Sequence, residues 1–485
     1  MKKLSELISN LSSPELSDFQ DVPISGIACQ PEELQNGILY CVIDEFLEYG
    51  HWIEGLNILG SMNLDAVSSL LTEQPIPDVK MPQVIVPDAR KAMAQMAKSF
   101  FDAPDEAMKI VGITGTNGKT TTAHLINQLL TACGEKSAAL GTIGLFTGKE
   151  KHADTIYTTA LSPTFFETLA ELRDMGISVL AAEISSHALK LDRVFGTDTD
   201  VAVFTNLTRD HLDFHETMDD YRDSKMKLFT RLKSGATAVV NRDNDMGKAI
   251  MSVSPCLILD YGCTSQGTLQ AEAIQCSPRG TAFQMRYQGK AFDIRTSLVG
   301  NFNVYNILSA MAACLALGIE PEALQKASET LHGVAGRIEP VPLPGDRVGI
   351  VDYAHTPDSM EKILNAMRDT GSERIITVFG CGGDRDRGKR PLMGEVAARL
   401  SDLCVVTSDN PRREDPEAII RDILPGMPEK GVLVEPDRRK AIRKAFEISR
   451  KGDVILVAGK GDEPYQIIGD ESFPFEDRKE LICLS

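Results

Sequence analysis

Gly115, Thr116, Asn117, Gly118, Lys119, Thr120 and Thr121 pack two glycines, a lysine and three hydroxyls into seven consecutive residues. They lie between an apolar run, KIVGIT, and a stretch with helical patterning from Lys119 to about Cys133. A phosphate cradle needs that context. Backbone N–H groups and the helix start face phosphate oxygens, Lys119 supplies a point charge, and the Thr120 hydroxyl can ligate Mg²⁺. The strict spacing would put the first glycine where the chain has Ile113, so the loop is a variant of that pattern. Two further groups stand where strand-like runs end: Glu183 in AAEISSHAL and His211 in NLTRDHLDFH. A carboxylate and an imidazole there could complete a Mg²⁺ shell or orient a γ-phosphate. His211 and His215 are four apart, but HLDFH lacks the HExxH glutamate and a third ligand, so zinc is not expected.

The last third of the chain holds a second set. GCGGDRDRGKRP follows the run RIITVFG, SDNPR follows LCVVTSD, and GKGDEPYQ follows DVILVAG. Three strand ends therefore bring Arg385, Asp409, Asn410, Pro411, Arg412, Gly459 and Glu463 to one edge of a domain, the usual ligand position in an open α/β sheet. Arg412 can offer a carboxylate a fork of donors, with Arg385 as a second cation. The alternative is a solvated loop charge, for which Arg413 and Glu414 are the better candidates.

Strand-like runs must position these groups. SAALGTI, SVLAAEIS, VAVFTNL and ATAVVN follow KIVGIT, with helical segments between several of them, and this alternation predicts a parallel sheet covered on both faces. From about Cys256 to Thr296 short alternating runs, TAFQMRYQ and KAFDIRT, predict antiparallel strands added to one side. RVGIVDY, RIITVFG, LCVVTSD, VLVEP and DVILVAG then predict a second, Rossmann-like doubly wound domain. The expected fold is α/β in three domains, residues 1–106, 107–336 and 337–485, because 485 residues exceed what one core holds. Net charge is −18, which speaks against a broad nucleic-acid or anionic-membrane surface. No apolar run reaches membrane length, and the N-terminus lacks a signal-peptide core. The ten cysteines include no CxxC pair and read as reduced thiols. The expectation is a cytoplasmic protein.

The string TGTNGKTT, with Glu183, His211 and the ordered strings after them, resembles the Mur ligase superfamily, which also includes folylpolyglutamate synthetases. The resemblance runs over about residues 109–470. It implies an ATP-dependent carboxylate–amine ligase with Mg²⁺, working through an acyl phosphate in peptidoglycan synthesis. Lys225, in DDYRDSKMKLF, matches a lysine that is carbamylated in most members and would join Thr120, Glu183 and His211 about the metal; the alternative is a plain surface lysine. Lys119, Lys225, His211 and Glu183 are the implied catalytic set. Asn303 in GNFNVYN, Arg337 in GVAGRIEP and Asp352 in DYAHTPDSM match segments that close over ATP. Thr158, Thr159, Ser185 and Arg193 match contacts to a UDP-muramyl-peptide. The set around Asp-Asn-Pro-Arg resembles the pocket of members that add meso-diaminopimelate to UDP-N-acetylmuramoyl-L-alanyl-D-glutamate. Rivals are addition of L-lysine, a folylpolyglutamate synthetase-like ligase, and a nucleotide-binding regulator without catalysis. Residues 1–106 lack the family's Asp-Ser-Arg string, reading Gly26-Ile27-Ala28-Cys29-Gln30, and no uridine contact is assigned there. A monomer is expected.

Overall fold

The computed structural model of the chain describes residues 1–12, 14–47, 51–334, 336–428 and 430–484. It is mixed α/β and falls into two compact units, Met1–Leu269 with Ser309–Glu320, and Gln270–Leu308 with Pro321–Ser485. No helix among the described residues is long and apolar enough to cross a membrane.

The first unit carries two larger sheets, besides the two-stranded pairings of Lys2–Lys3 with Pro23–Ile24 and of Glu45–Leu47 with His51–Ile53. The smaller runs in the order Glu15–Ser17, Gln83–Ile85, Val67–Thr72, Ile38–Cys41, Gly26–Ala28, parallel except for its first pair. Every residue of Ile38–Cys41 is buried. Successive side chains of a strand point to opposite faces, and here Leu39 and Cys41 enter one apolar cluster while Ile38 and Tyr40 enter another. A strand covered on both faces must therefore be apolar throughout.

In the larger sheet Lys109–Thr114 lies between Val179–Glu183 and Val201–Phe204, parallel to both. Ser137–Gly141 continues the parallel order beyond Val179–Glu183, and Thr237–Asn241 continues it beyond Val201–Phe204. The chain departs from Lys109–Thr114 to both sides, so the loops after these strands open onto one crevice. Helix Lys119–Ala132 follows the Gly-rich loop, as its patterning predicts. One expectation is corrected. Leu257–Gly262 pairs in parallel with Thr237–Asn241, so the antiparallel region does not begin near Cys256. Strand direction is set by the connection, and helix Asp245–Val253 makes a crossover that a hairpin could not. Gly280–Tyr287 and Lys290–Thr296, in the second unit, do pair antiparallel.

The second unit's main sheet runs Glu339–Leu343, Arg347–Asp352, Val454–Ala458, Ile375–Phe379, Leu403–Val406, Val432–Val434. All but the first pair are parallel. Ile350, Phe379 and Leu456 pack on one face and Val351, Val378 and Val457 on the other, the burial of a doubly wound sheet. Val454–Ala458, Ile375–Phe379 and Leu403–Val406 are neighbours, so the loops that follow them share one edge.

Candidate active site

In the first unit the Gly-rich loop is pinned by the segment after Val201–Phe204. Thr116 N donates to Asn206 O at 2.8 Å and Asn117 N to Asn206 Oδ1 at 3.0 Å, while Thr205 Oγ1 donates to Asn117 O at 2.7 Å. Gly115 has φ +154°, and a Cβ there would sit 1.9 Å from Thr205 Oγ1, so only glycine fits. Gly118 is left-handed at φ +86° and starts the helix. Lys119 Nζ donates to the carbonyls of Gly115 and Thr116, both at 3.0 Å. Burial pulls its ammonium below the usual lysine range, against the charges of Glu183 and Asp210.

Glu183 ends its strand almost fully buried. Its Oε2 accepts the Thr120 hydroxyl at 2.9 Å and its Oε1 accepts Thr142 N at 2.9 Å. Burial raises its carboxyl above the ordinary value, opposed by those donors and by Lys119. A hydroxyl and a carboxylate beside the Gly-rich loop are hard oxygen donors, which suit Mg²⁺. Among the described residues no three His, Cys, Asp or Glu side chains cluster as a metal site by themselves.

Lys225 is not a surface lysine. It is 1% exposed on helix Met218–Thr230, with Nζ donating to Gly115 O at 2.9 Å and lying 4.4 Å from the centre of the Tyr221 ring. Burial first, then the neighbouring Lys119 charge, drive its amine well below the usual range, and Asp210 opposes them. Tyr221, also buried, contacts Thr116 Oγ1 at 3.1 Å. His211 is left-handed at φ +52° and stands at the start of Leu212–His215, its ring 4.9 Å from that of His187 and 6.1 Å from that of Tyr221. Phe214 stacks on His187 at 4.1 Å and on Trp52 at 6.0 Å. His215 is a core residue, 2.9 Å from Ser186 Oγ.

The four residues matched to a UDP-muramyl-peptide also gather here. Thr158 Oγ1 lies 3.0 Å from Thr142 Oγ1, and Thr159 Oγ1 donates to Glu183 O at 2.8 Å. Ser185 caps helix Ser186–Lys190, and Arg193 Nη1 donates to Thr159 O at 3.0 Å. Thr142, Asp210 and Tyr221 went unread in the sequence. Thr142 was legible as the residue after SAALG, whereas Tyr221 has only its helical spacing from Lys225 to mark it.

Asn303, Arg337 and Asp352 belong to the second unit. Asn303 Nδ2 donates to Val299 O at 2.9 Å, and the Arg337 guanidinium lies 5.1 Å over Tyr353. Burial raises the Asp352 carboxyl, which accepts Ile338 N and Ala354 N at 2.8 Å each. The seven residues of the three-loop set come together at the common sheet edge. Asn410 Nδ2 donates to Glu463 Oε2 at 2.8 Å. Asp409 is buried, with Oδ1 accepting Asn410 N at 2.7 Å and Oδ2 making no hydrogen bond. Gly459 has φ +120°, and a Cβ there would meet that Oδ2 at 2.5 Å. Arg412, left-handed at φ +51°, donates from Nη1 to Gly383 O at 3.0 Å and is half-buried. Arg385 is exposed.

Glu414 is not a solvated charge. It accepts both terminal nitrogens of the fully buried Arg390, at 2.8 and 3.0 Å, and Asp384 N at 2.7 Å. The Arg390 bonds first, then that N–H, hold its carboxyl down to about 2. Arg413 is the exposed residue, paired with Asp470 at 2.8 Å.

A Gly-rich strand–loop–helix turn and a three-loop polar edge are what a nucleotide-dependent enzyme would need, and comparison with known proteins gives the class, a ligase. Residues 113–314 match the Mur ligase middle domain and residues 336–461 the Mur ligase glutamate ligase domain. The chain belongs to the Mur ligase family. It is 42% identical over 483 residues to the UDP-N-acetylmuramoyl-L-alanyl-D-glutamate--2,6-diaminopimelate ligase of Syntrophomonas wolfei, covering 98% of each chain. It is also 42% identical to the ligase of that name from Aquifex aeolicus, covering 94% of this chain and 92% of that one. A solved structure of a ligase so named superposes with a TM-score of 0.74 at 30% identity, covering 100% of this chain and 99% of the other. A folylpolyglutamate synthase from Mycobacterium tuberculosis shares the fold, with a TM-score of 0.59 at 18% identity over 75% of this chain and 90% of that one.

Proposed function

We propose that the protein joins 2,6-diaminopimelate, as its meso isomer, to UDP-N-acetylmuramoyl-L-alanyl-D-glutamate with conversion of ATP to ADP and phosphate, acting as a cytoplasmic monomer. The near-full-length identity to relatives of that name carries the reading. In the first step a glutamate carboxylate oxygen attacks the γ-phosphorus and ADP leaves. In the second the amine nitrogen attacks the acyl carbon, phosphate leaves, and the nitrogen loses a proton as the amide forms.

The chain's own residues suit these steps. Loop N–H groups and Lys119 meet the phosphates. Thr120 and Glu183 would hold Mg²⁺, with His211 and Lys225 completing the set; when bound it would neutralise phosphate charge. A buried amine with a lowered proton affinity, as at Lys225, is the neutral nucleophile that adds to CO₂, which would turn this cation into an anion beside the loop. Thr158, Thr159, Ser185 and Arg193 would hold the muramyl peptide, and Asn303, Arg337 and Asp352 the remainder of ATP. These assignments divide the work among three domains, residues 1–106 for the uridine substrate, 107–336 for ATP and 337–485 for the amine.

Amine choice follows from the second set. Lysine and diaminopimelate share a reacting end and differ at the far end, where diaminopimelate carries a carboxylate beside its amine. Arg412 and Arg385 offer that carboxylate cationic donors. Asp409 Oδ2, buried without a hydrogen bond and 3.9 Å from the Arg438 guanidinium, and Glu463 offer the far ammonium acceptors. Lysine would leave the guanidinium unpaired, a mismatch that polar sites penalise by roughly 10⁴-fold. Side-by-side kinetics with both amino acids, in wild type and Arg412→Ala, test this. Diaminopimelate should win in wild type and lose most of its advantage in the variant. Equal use of lysine by wild type would overturn the assignment.

A further inference from the structure

Lys460 is among the largest fully buried side chains of the described residues, at 0% exposure. A buried ammonium is costly unless its protons are taken up, and what takes them up shows what it is there for. Lys460 Nζ donates to Asn410 Oδ1 at 3.0 Å and to Glu463 Oε2 at 2.8 Å. Its Nζ lies 5.6 Å from the centre of the Tyr465 ring. Both hydrogen-bonded partners belong to the three-loop set, and they come from loops after two different strands, Leu403–Val406 and Val454–Ala458.

The orientation of the Asn410 amide follows from these contacts. An asparagine side chain can be turned over with little change of shape, and only its neighbours decide which end is the oxygen. Lys460 Nζ has donors and no acceptor. Ile467 N also donates to Asn410 Oδ1, at 3.0 Å. Two donors converge on one end of the amide, so that end is oxygen and the NH₂ must face Glu463. Glu463 Oε2 then accepts from both Asn410 and Lys460, which leaves Oε1 as the oxygen with capacity for a ligand.

We propose that Lys460 is the positioning residue of the amino-acid pocket. It fixes the Asn410 amide and presents one Glu463 oxygen to the far ammonium of the incoming amino acid. This rests on the reading of the three-loop set as the diaminopimelate site. Without Lys460 the amide has one donor fewer holding it, Glu463 loses its counter-charge, and neither is locked to the other.

The test is steady-state kinetics of the full chain, wild type and Lys460→Met, with each of the three substrates varied in turn. The KM for 2,6-diaminopimelate should rise on the order of tenfold or more, as expected for a polar pocket with a broken buried contact. The KM values for ATP and for the UDP-muramyl dipeptide should stay within about twofold. Lys460→Gln, which keeps a donor without the charge, should lie between wild type and Lys460→Met, and serves alone if the methionine variant does not fold. An unchanged diaminopimelate KM, or an equal rise in all three, overturns the proposal. Failure of the wild type to consume diaminopimelate strikes instead at the functional reading beneath it.

Discussion

Lys119 and Lys225 converge on one acceptor, the Gly115 carbonyl, one from the start of helix Lys119–Ala132 and one from a helix about a hundred residues later. Two ammonium groups at one oxygen repel each other, and the burial of both adds to the cost of charge there. Lys119→Ala should fold, because its bonds stay within its own loop, yet lose ligation by on the order of 100-fold or more. Near-wild-type turnover with a normal melting temperature would sink the phosphate-loop assignment. Lys225→Ala should be comparably impaired, and added short carboxylates should restore part of the rate if a carbamate is what is missing. His215 reports on pH. Burial pulls its imidazole from 6.5 to about 4, so between those values the unfolded chain binds a proton that the folded chain refuses. Stability should therefore fall as pH drops from about 6.5 to about 4. Melting temperatures across that range should have a flatter slope in His215→Asn than in wild type. The conformation of the Gly-rich loop was legible because its glycines stand between an apolar run and a helical pattern. The burial of Lys225 was not, since helical spacing alone cannot say which face meets the loop.

At the scale of elements, one motif loop is held to another by a buried guanidinium. Arg390, on helix Lys389–Leu400, reaches Gly382 O in the first loop and Glu414 beyond Asp-Asn-Pro-Arg. Glu414→Ala would strip a fully buried guanidinium of its bidentate partner and leave it Asp422 at 2.8 Å. Loss of about 3 kcal/mol is expected, measured by denaturant unfolding, with a raised diaminopimelate KM as the loops separate. A change below about 0.5 kcal/mol would show a surface pair after all. The strand ends of this sheet were legible because continuous apolar runs such as IITVF and VILVA mark strands buried on both faces. The Glu414 contact was not, because a charge run reads as solvated until a partner from another helix is known. The direction of Leu257–Gly262 was missed for a related reason, since alternation fixes a strand but not its sense.

For the molecule as a whole, a net charge of −18 sets the field that substrates cross. ATP and a UDP-linked substrate are anions, whereas diaminopimelate is a zwitterion with no net charge. Long-range repulsion should therefore slow the nucleotides and spare the amino acid. Raising ionic strength from about 0.02 to about 0.15 M shortens the screening length to about 8 Å, so kcat/KM for ATP should rise while that for diaminopimelate stays nearly flat. A steep fall for ATP would mean that the local lysines outweigh the global field. The α/β class and the order of the motifs were legible from strand–helix alternation, which depends only on local pattern. The first unit's smaller sheet was harder to read, because strands as short as Gly26–Ala28 and Gln83–Ile85 carry too few residues for a period to show.

The stack of Trp52 on Phe214 has an optical consequence. The chain contains one tryptophan, 52% exposed, and its neighbour Phe214 lies in the short helix that His211 begins. Light absorbed by indole and not by tyrosine therefore excites a single place in the molecule. Any emission shift on adding nucleotide reads the movement of that one ring against its neighbours, with no other indole to dilute the signal.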